Sequence, residues 1–205
     1  MPSLDHLVLA SPDPVATRAE IAERTGVRLG TGGPHVGRGT RNWLGRLGPS
    51  SYLELIGPDP DQPEPTEPRP FGVDALDAPA VVTWCARHDD LDGLRAHAAG
   101  GGVALGAPFT MEREAPGGRL RWRLSLPEAD THGGLVPFFI DWADSAHPAT
   151  TSVDGLRLDE LYAEHPDPDA VRAELAALGV ELDVRPGPNA GLHVRLVGPG
   201  GSIEW

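Results

Sequence analysis

The sequence predicts an α+β fold: repeated βαβββ modules whose strands form a mixed β-sheet with the helices outside. Three observations carry this. A segment is written twice, LVLASPDPVATRAEIA at 7–22 and LYAEHPDPDAVRAELA at 161–176, each an apolar strand leading through Pro-Asp-Pro into an amphipathic helix. An apolar run holding one carboxylate follows each copy, Tyr52-Leu-Glu54-Leu-Ile56 and Ser202-Ile-Glu204-Trp205. A fixed-offset repeat of this kind reports architecture directly. The 26 Gly and 22 Pro among 205 residues favour many tight turns over long helices.

The first module covers residues 1–57. Leu4–Ala10 reads as a strand. Asp13 is placed to cap a helix, with Pro14 at its first position and Gly26 as its stop. The inward stripe of that helix is expected at Val15, Ala19 and Ala22. Thr40–Leu47 and Ser51–Ile56 read as a hairpin across Gly48-Pro49-Ser50. Residues 58–79 open with PDPDQPEPTEPRP, a proline-rich acidic linker expected to be extended and exposed. The second module spans 80–143. It has a strand at Val81–Arg87 and a helix capped by Asp89 or Asp90, with Leu91, Leu94 and Ala98 on one face. Further strands are expected at Arg119–Leu126 and Val136–Trp142. The third module spans 153–205, its helix started by Asp167-Pro168, striped by Val171, Leu175 and Leu178, and stopped by Gly179.

Composition excludes several classes of partner. The net charge of −13 disfavours nucleic acid and anionic membranes, both of which require clustered Lys and Arg. No apolar run approaches a membrane span, and the N-terminus lacks a basic signal-peptide region. A cytoplasmic protein is expected. Cys85, the sole cysteine, sits in an apolar run and reads as a buried, inert thiol.

Period-2 alternation puts Leu4, His6 and Val8 on one face of the first strand, and Tyr52, Glu54 and Ile56 on one face of the fourth. The opposite faces (Leu7 and Leu9, Leu53 and Leu55) are apolar and suit packing under the helix. An unpaired buried carboxylate is costly, so a metal, an Arg partner or a water-filled cavity has to compensate. Imidazole with carboxylates suits a divalent ion such as Zn, Ni, Fe, Co or Mn. Aligning the repeats sets Glu160 opposite His6 and Glu204 opposite Glu54. The second module sets Asp141 opposite Glu54 and only Val82 or Thr83 opposite His6.

These residues resemble the vicinal oxygen chelate superfamily, in particular its glyoxalase-like members. The resemblance lies in Leu4-Asp-His-Leu-Val-Leu9, Gly39-Thr-Arg-Asn42, Tyr52-Leu-Glu-Leu-Ile56, Phe138-Phe-Ile-Asp-Trp142 and His165-Pro-Asp-Pro168. It implies a cup-shaped, incomplete barrel built from paired modules. It also implies a divalent metal that chelates neighbouring substrate oxygens and stabilises enolate-like charge. His6 and Glu54 map onto the first ligand pair. If modules one and two form the cup, Asp141 is available and one ligand is missing. If modules one and three form it, Glu160 and Glu204 complete a His-Glu-Glu-Glu set. A homodimer is a further implication, because cups of this family often pair across subunits.

Around that centre, the glycine-rich run Gly30–Thr40 lacks the ending of a phosphate loop and reads as an active-site lip. In it, His35 is a candidate acid/base. Asn42, on the face of Thr40 and Leu44, is placed to orient a substrate oxygen. Trp122 is either packed core or a cup wall for an apolar substrate, extended by Trp142. His147 is positioned to cap the pocket. The expected function is a metal-dependent small-molecule enzyme of isomerase, lyase or dioxygenase type, with Glu54 or Glu204 moving the proton. The alternative is a metal-free protein that sequesters a small molecule in the same cup.

Overall fold

A computed structural model of the chain describes residues 2–115, 118–129 and 131–205. The first module consists of β1 (Ser3–Ala10), α1 (Pro14–Thr25), β2 (Gly30–His35), β3 (Thr40–Gly48) and β4 (Ser51–Pro58). The second consists of β5 (Ala80–Arg87), α2 (Leu91–Gly100), β6 (Phe109–Ala115), β7 (Gly118–Ser125) and β8 (Phe138–Asp141). The third consists of β9 (Arg157–His165), α3 (Pro168–Ala177), β10 (Val184–Pro186), β11 (Gly191–Gly198) and β12 (Gly201–Glu204).

Each helix begins as its sequence dictates. Asp13, Asp90 and Asp167 accept from the backbone N–H groups of Ala16, Gly93 and Ala170 at 3.0, 2.8 and 3.2 Å. These caps satisfy donors that a helix start leaves unpaired. The buried stripe of α1 differs from the expected one. Pro14, Thr17, Ile21 and Thr25 face inward, whereas Val15 is 69 % exposed. Thr17 and Thr25 return their hydroxyls to the carbonyls of Asp13 and Ile21, which makes them acceptable in the interior. Counting apolar residues alone misses such a face.

Modules one and two form one curled eight-stranded sheet, ordered β2-β3-β4-β1-β5-β8-β7-β6. They join where β1 pairs antiparallel with β5. In each half the first strand also pairs parallel with the last, β1 with β4 and β5 with β8. The third module repeats the element order but not the pairing. Its sheet is ordered β10-β9-β11-β12, with β9 between β10 and β11. The cup therefore belongs to modules one and two.

Alternation divides the core as the sequence implies. Leu7, Leu9, Leu53 and Leu55 pack outward against Ile21, Leu91 and Leu94 of the helices, and against Val171, Leu175, Leu192 and Leu196 of the third module. Each such side chain contributes about 1.5–3 kcal/mol on burial. Val8, Ala10, Tyr52, Ile56, Cys85, Trp122, Phe138 and Ile140 line the concave side.

Residues 58–79 are largely exposed, as their prolines suggest, but the segment is anchored to the sheet rather than free. Asp59 is only 4 % exposed and takes hydrogen bonds from the Asp61 N–H and Gln62 Nε2. Gln62 also donates to the Thr40 carbonyl, and Arg69 Nε to that of Gly39. The segment thus straps the β2–β3 turn and delivers Phe71 to Phe138, ring centroids 5.9 Å apart. Proline lowers the entropy lost on ordering such a strap. Among the described residues, no helix is long and apolar enough to cross a membrane.

Candidate active site

A β-bulge in the β1–β5 pairing lies between Leu4 and His6. It turns Leu4 towards the outer core rather than the His6 face. Bulges re-aim side chains in this way and recur beside active sites. Here the bulge brings Asp5 beside His6.

Asp5 is fully buried. Its Oδ1 accepts from His6 Nδ1 at 2.7 Å, and its Oδ2 from Trp142 Nε1 at 3.0 Å and His147 Nε2 at 2.9 Å. The Ala149 N–H donates to His147 Nδ1, which fixes the tautomer that presents Nε2–H to Asp5. Burial alone would raise the Asp5 pKa. The bonds from His147 and His6, with their positive potential, more than reverse this and hold the carboxyl below its ordinary range.

With Nδ1 committed to Asp5, the Nε2 of His6 is directed to the cup. The ring stacks on Tyr52 at 4.7 Å and meets the edge of Phe138 at 5.5 Å. His6 Nε2 lies 3.6 Å from Glu54 Oε2. Glu54 Oε1 accepts from Asn42 Nδ2 at 2.6 Å. Asn42 is held by the Gly33 N–H on its Oδ1 at 2.9 Å and sends its other amide hydrogen towards His35 Nε2 at 3.2 Å. His35 Nδ1 in turn meets Thr40 Oγ1 at 3.0 Å. Burial lowers the His35 pKa, and the Glu54 carboxylate only partly offsets it. The neutral ring, with Nδ1–H on Thr40 and a lone pair facing Asn42, satisfies all three groups. Burial, with Asp5 and Glu54 nearby, pushes the Tyr52 phenol well up, so it stays a neutral donor.

These groups line one part of a cavity of about 450 Å³. Its apolar walls include Met111, Trp122, Leu124, Phe138, Ile140 and Trp142, with Phe71 from the strap. The volume lies within the range of small-molecule sites.

His6, His35, Asn42, Glu54, Trp122 and Trp142 therefore meet in one cup. Three expected residues do not join them. Asp141 accepts from the Ala143 N–H at 2.8 Å and stands opposite Arg123 in the β7–β8 pairing, because Phe138 and Ile140 take the inward positions of β8. Glu160 and Glu204 lie exposed on the third module's own sheet, each opposite Arg195 in strand register, and Glu160 forms an ion pair with Arg185. The His-Glu-Glu-Glu set is corrected accordingly: β12 pairs with β11 rather than with β9, so the repeat in sequence is not a repeat in space. Arg38 and Arg113 line the cup and Asp5 is buried behind it, and the sequence reading gave none of the three a role in the site. The signal for Asp5 was present, since adjacent Asp and His in an apolar strand already break a period of two.

A resident metal fits this donor set poorly. His6 and Glu54 come from the first module, and the facing positions hold Phe138, Ile140 and Cys85. Among the described residues, one group of possible ligands lies within coordinating reach, Asp5, His6 and Cys85. Both Asp5 oxygens are already committed, and burial holds the Cys85 thiol well above its ordinary pKa, so the thiolate form is disfavoured.

Comparison with known proteins supports the fold. The glyoxalase-like domain family matches residues 4–179. A hypothetical protein from Staphylococcus aureus aligns with 15 % identity and a TM-score of 0.62, over 100 % of this chain and 84 % of its own. A methylmalonyl-CoA epimerase in complex with methylmalonyl-CoA and NH4+ aligns with 19 % identity and a TM-score of 0.50, over 72 % of this chain and 99 % of its own. A mutant of 4-hydroxymandelate synthase from Streptomyces coelicolor aligns with 16 % identity and a TM-score of 0.51, over 100 % of this chain and 62 % of its own. No curated protein matches the sequence.

Proposed function

The chain belongs to the glyoxalase-like domain family, and we propose that it is a small-molecule enzyme that moves a proton beside a carbonyl or hydroxyl oxygen bound in the cup. The observation that carries this reading is the Glu54 carboxylate, fixed by Asn42 at 2.6 Å and facing His6 Nε2 at 3.6 Å beside an apolar cavity. A carboxylate and an imidazole with separate anchors form an acid–base pair. Glu54 takes the proton from carbon. His6, its ring held through Nδ1 by Asp5, acts in its imidazolium form and donates from Nε2 to the substrate oxygen as charge develops there. The apolar walls exclude water and strengthen both interactions.

Isomerase and lyase reactions that pass through an enolate begin with such a step, so the reading covers those members of two of the expected types. It derives no step through a metal. Chelator treatment should therefore leave activity within about twofold of its starting value, and near-stoichiometric Zn, Ni or Mn binding abolished by His6→Ala would refute this part.

The test is hydrogen–deuterium exchange into 2-oxo acids, hydroxy ketones and 2-oxoaldehydes in D2O, followed by NMR. Wild type should exchange the carbon-bound proton of at least one ligand class. Glu54→Gln should lower that rate by about 10²-fold or more while retaining ligand binding. Exchange by Glu54→Gln at the wild-type rate would sink the assignment. The predominance of apolar wall favours a second reading, sequestration of an apolar compound. Tight binding by wild type with no exchange or turnover would support it.

A further inference from the structure

Arg113 occupies a position that the proton-transfer reading does not use. It lies on β6 among Phe109, Met111 and Trp122. Its Nη1 is buried without a hydrogen-bond partner. Among the described residues, Arg113 forms no ion pair: Glu54 is bound by Asn42, and Glu112 is paired with Arg119. An orphaned guanidinium N–H in an apolar wall costs free energy that a bound partner would recover. The charge is felt across the cup, where it adds to the lowering of the His35 pKa by burial and works against the rise of the Tyr52 pKa.

Arg113 also stands where two cavities meet. A side groove of about 760 Å³ between β2 and β7 shares Leu44, Arg113 and Trp122 with the cup. A ligand entering by that groove would pass Arg113 before it reached His6. An acid group carried deeper would meet the Glu54 carboxylate and be repelled.

We propose that Arg113 anchors an anionic oxygen group, carboxylate or phosphate, of a ligand whose apolar body lies along Trp122 and Phe138 and whose reacting end faces His6 and Glu54. The substrate class is thus an organic acid with its charge at the end remote from the chemistry. This rests on the cup being the ligand site.

The test uses the whole protein and the fluorescence of Trp122 and Trp142. The probes are 2-naphthoate, its neutral amide and 2-naphthyl phosphate. Wild type should bind one or both anions about tenfold or more tightly than the amide, as expected for a charge-assisted hydrogen bond. Whichever anion is preferred identifies the acid group. Arg113→Gln should erase the preference and leave amide affinity unchanged. Arg113→Lys, which keeps the charge without the planar fork, should keep part of the preference. Equal binding of amide and anions by wild type, or an anion preference that survives in Arg113→Gln, overturns the Arg113 assignment alone. Failure of all three probes to bind wild type overturns the cup as the ligand site, and the Arg113 assignment with it. Amide binding by Arg113→Gln at wild-type affinity shows that the variant is folded.

Discussion

At the scale of single residues, Asp5 decides what His6 can do. Alternation assigned His6 and Glu54 to the concave face, and both are there, because faces follow from the two-residue period wherever the strand is regular. Asp5 escaped that reasoning because it sits at an irregularity. Its effect should be measurable. Asp5 titrates lower in the folded chain than unfolded, so the stability it contributes is complete above about pH 4, the unfolded value, and fades as the pH falls below that. Asp5→Asn leaves two histidines and an indole N–H without their acceptor charge. It should lower unfolding free energy by about 3–5 kcal/mol at pH 7, the usual cost of breaking a buried charge network. Urea denaturation at pH 7 and pH 3 checks this: the gap between wild type and variant should narrow on acidification. A gap that stays constant would mean that the carboxylate is not the stabilising species.

At the scale of elements, the strands act by bringing backbone close to side chains of the site. Gly32 on β2 is the clearest case. A Cβ built there would lie 2.0 Å from Asn42 Oδ1 and 2.9 Å from its Cγ. Gly32→Ala must therefore rotate the Asn42 amide away from Glu54, while the exchange of Gly for Ala reduces the entropy of the unfolded chain. The expected outcome is a melting temperature within a few degrees of wild type, with ligand-dependent proton exchange reduced about tenfold, the value of one strong hydrogen bond. Wild-type exchange in Gly32→Ala would show that Asn42 does not position Glu54. The glycine-rich run was legible as a lip of the site and not as a strand, because its glycines carry no side-chain alternation to read. Helix starts were legible for the opposite reason: Asp followed by Pro or Leu specifies a cap locally. The exposure of the strap at 58–79 was legible from its prolines and its anchoring was not, since its bonds to Thr40 and Gly39 are tertiary.

At the scale of the whole molecule, the order strand–helix–strand–strand–strand recurs three times along the chain, yet the sequence repeat did not reveal which strands share a sheet. Pairing depends on which strand edges remain free when modules meet, and local sequence does not encode that. Module three keeps its own sheet and instead supplies Val171, Leu175, Leu192 and Leu196 to the core that backs β1 and β4. We propose that the three modules unfold as one cooperative unit. Leu196 is fully buried, so Leu196→Ala should cost about 2–5 kcal/mol through lost burial and the cavity left behind. Native-state hydrogen exchange separates the alternatives. If the core is shared, amides of β1 and β4 lose protection by the same free energy as those of β11, although no atom of those strands is changed. If module three is an independent unit, only its own amides respond, and β1, with the Asp5–His6 pair it carries, keeps wild-type protection. The first result would make the third module a support for the floor of the cup, and would explain why a unit that contributes none of the cup-lining residues is folded against its back.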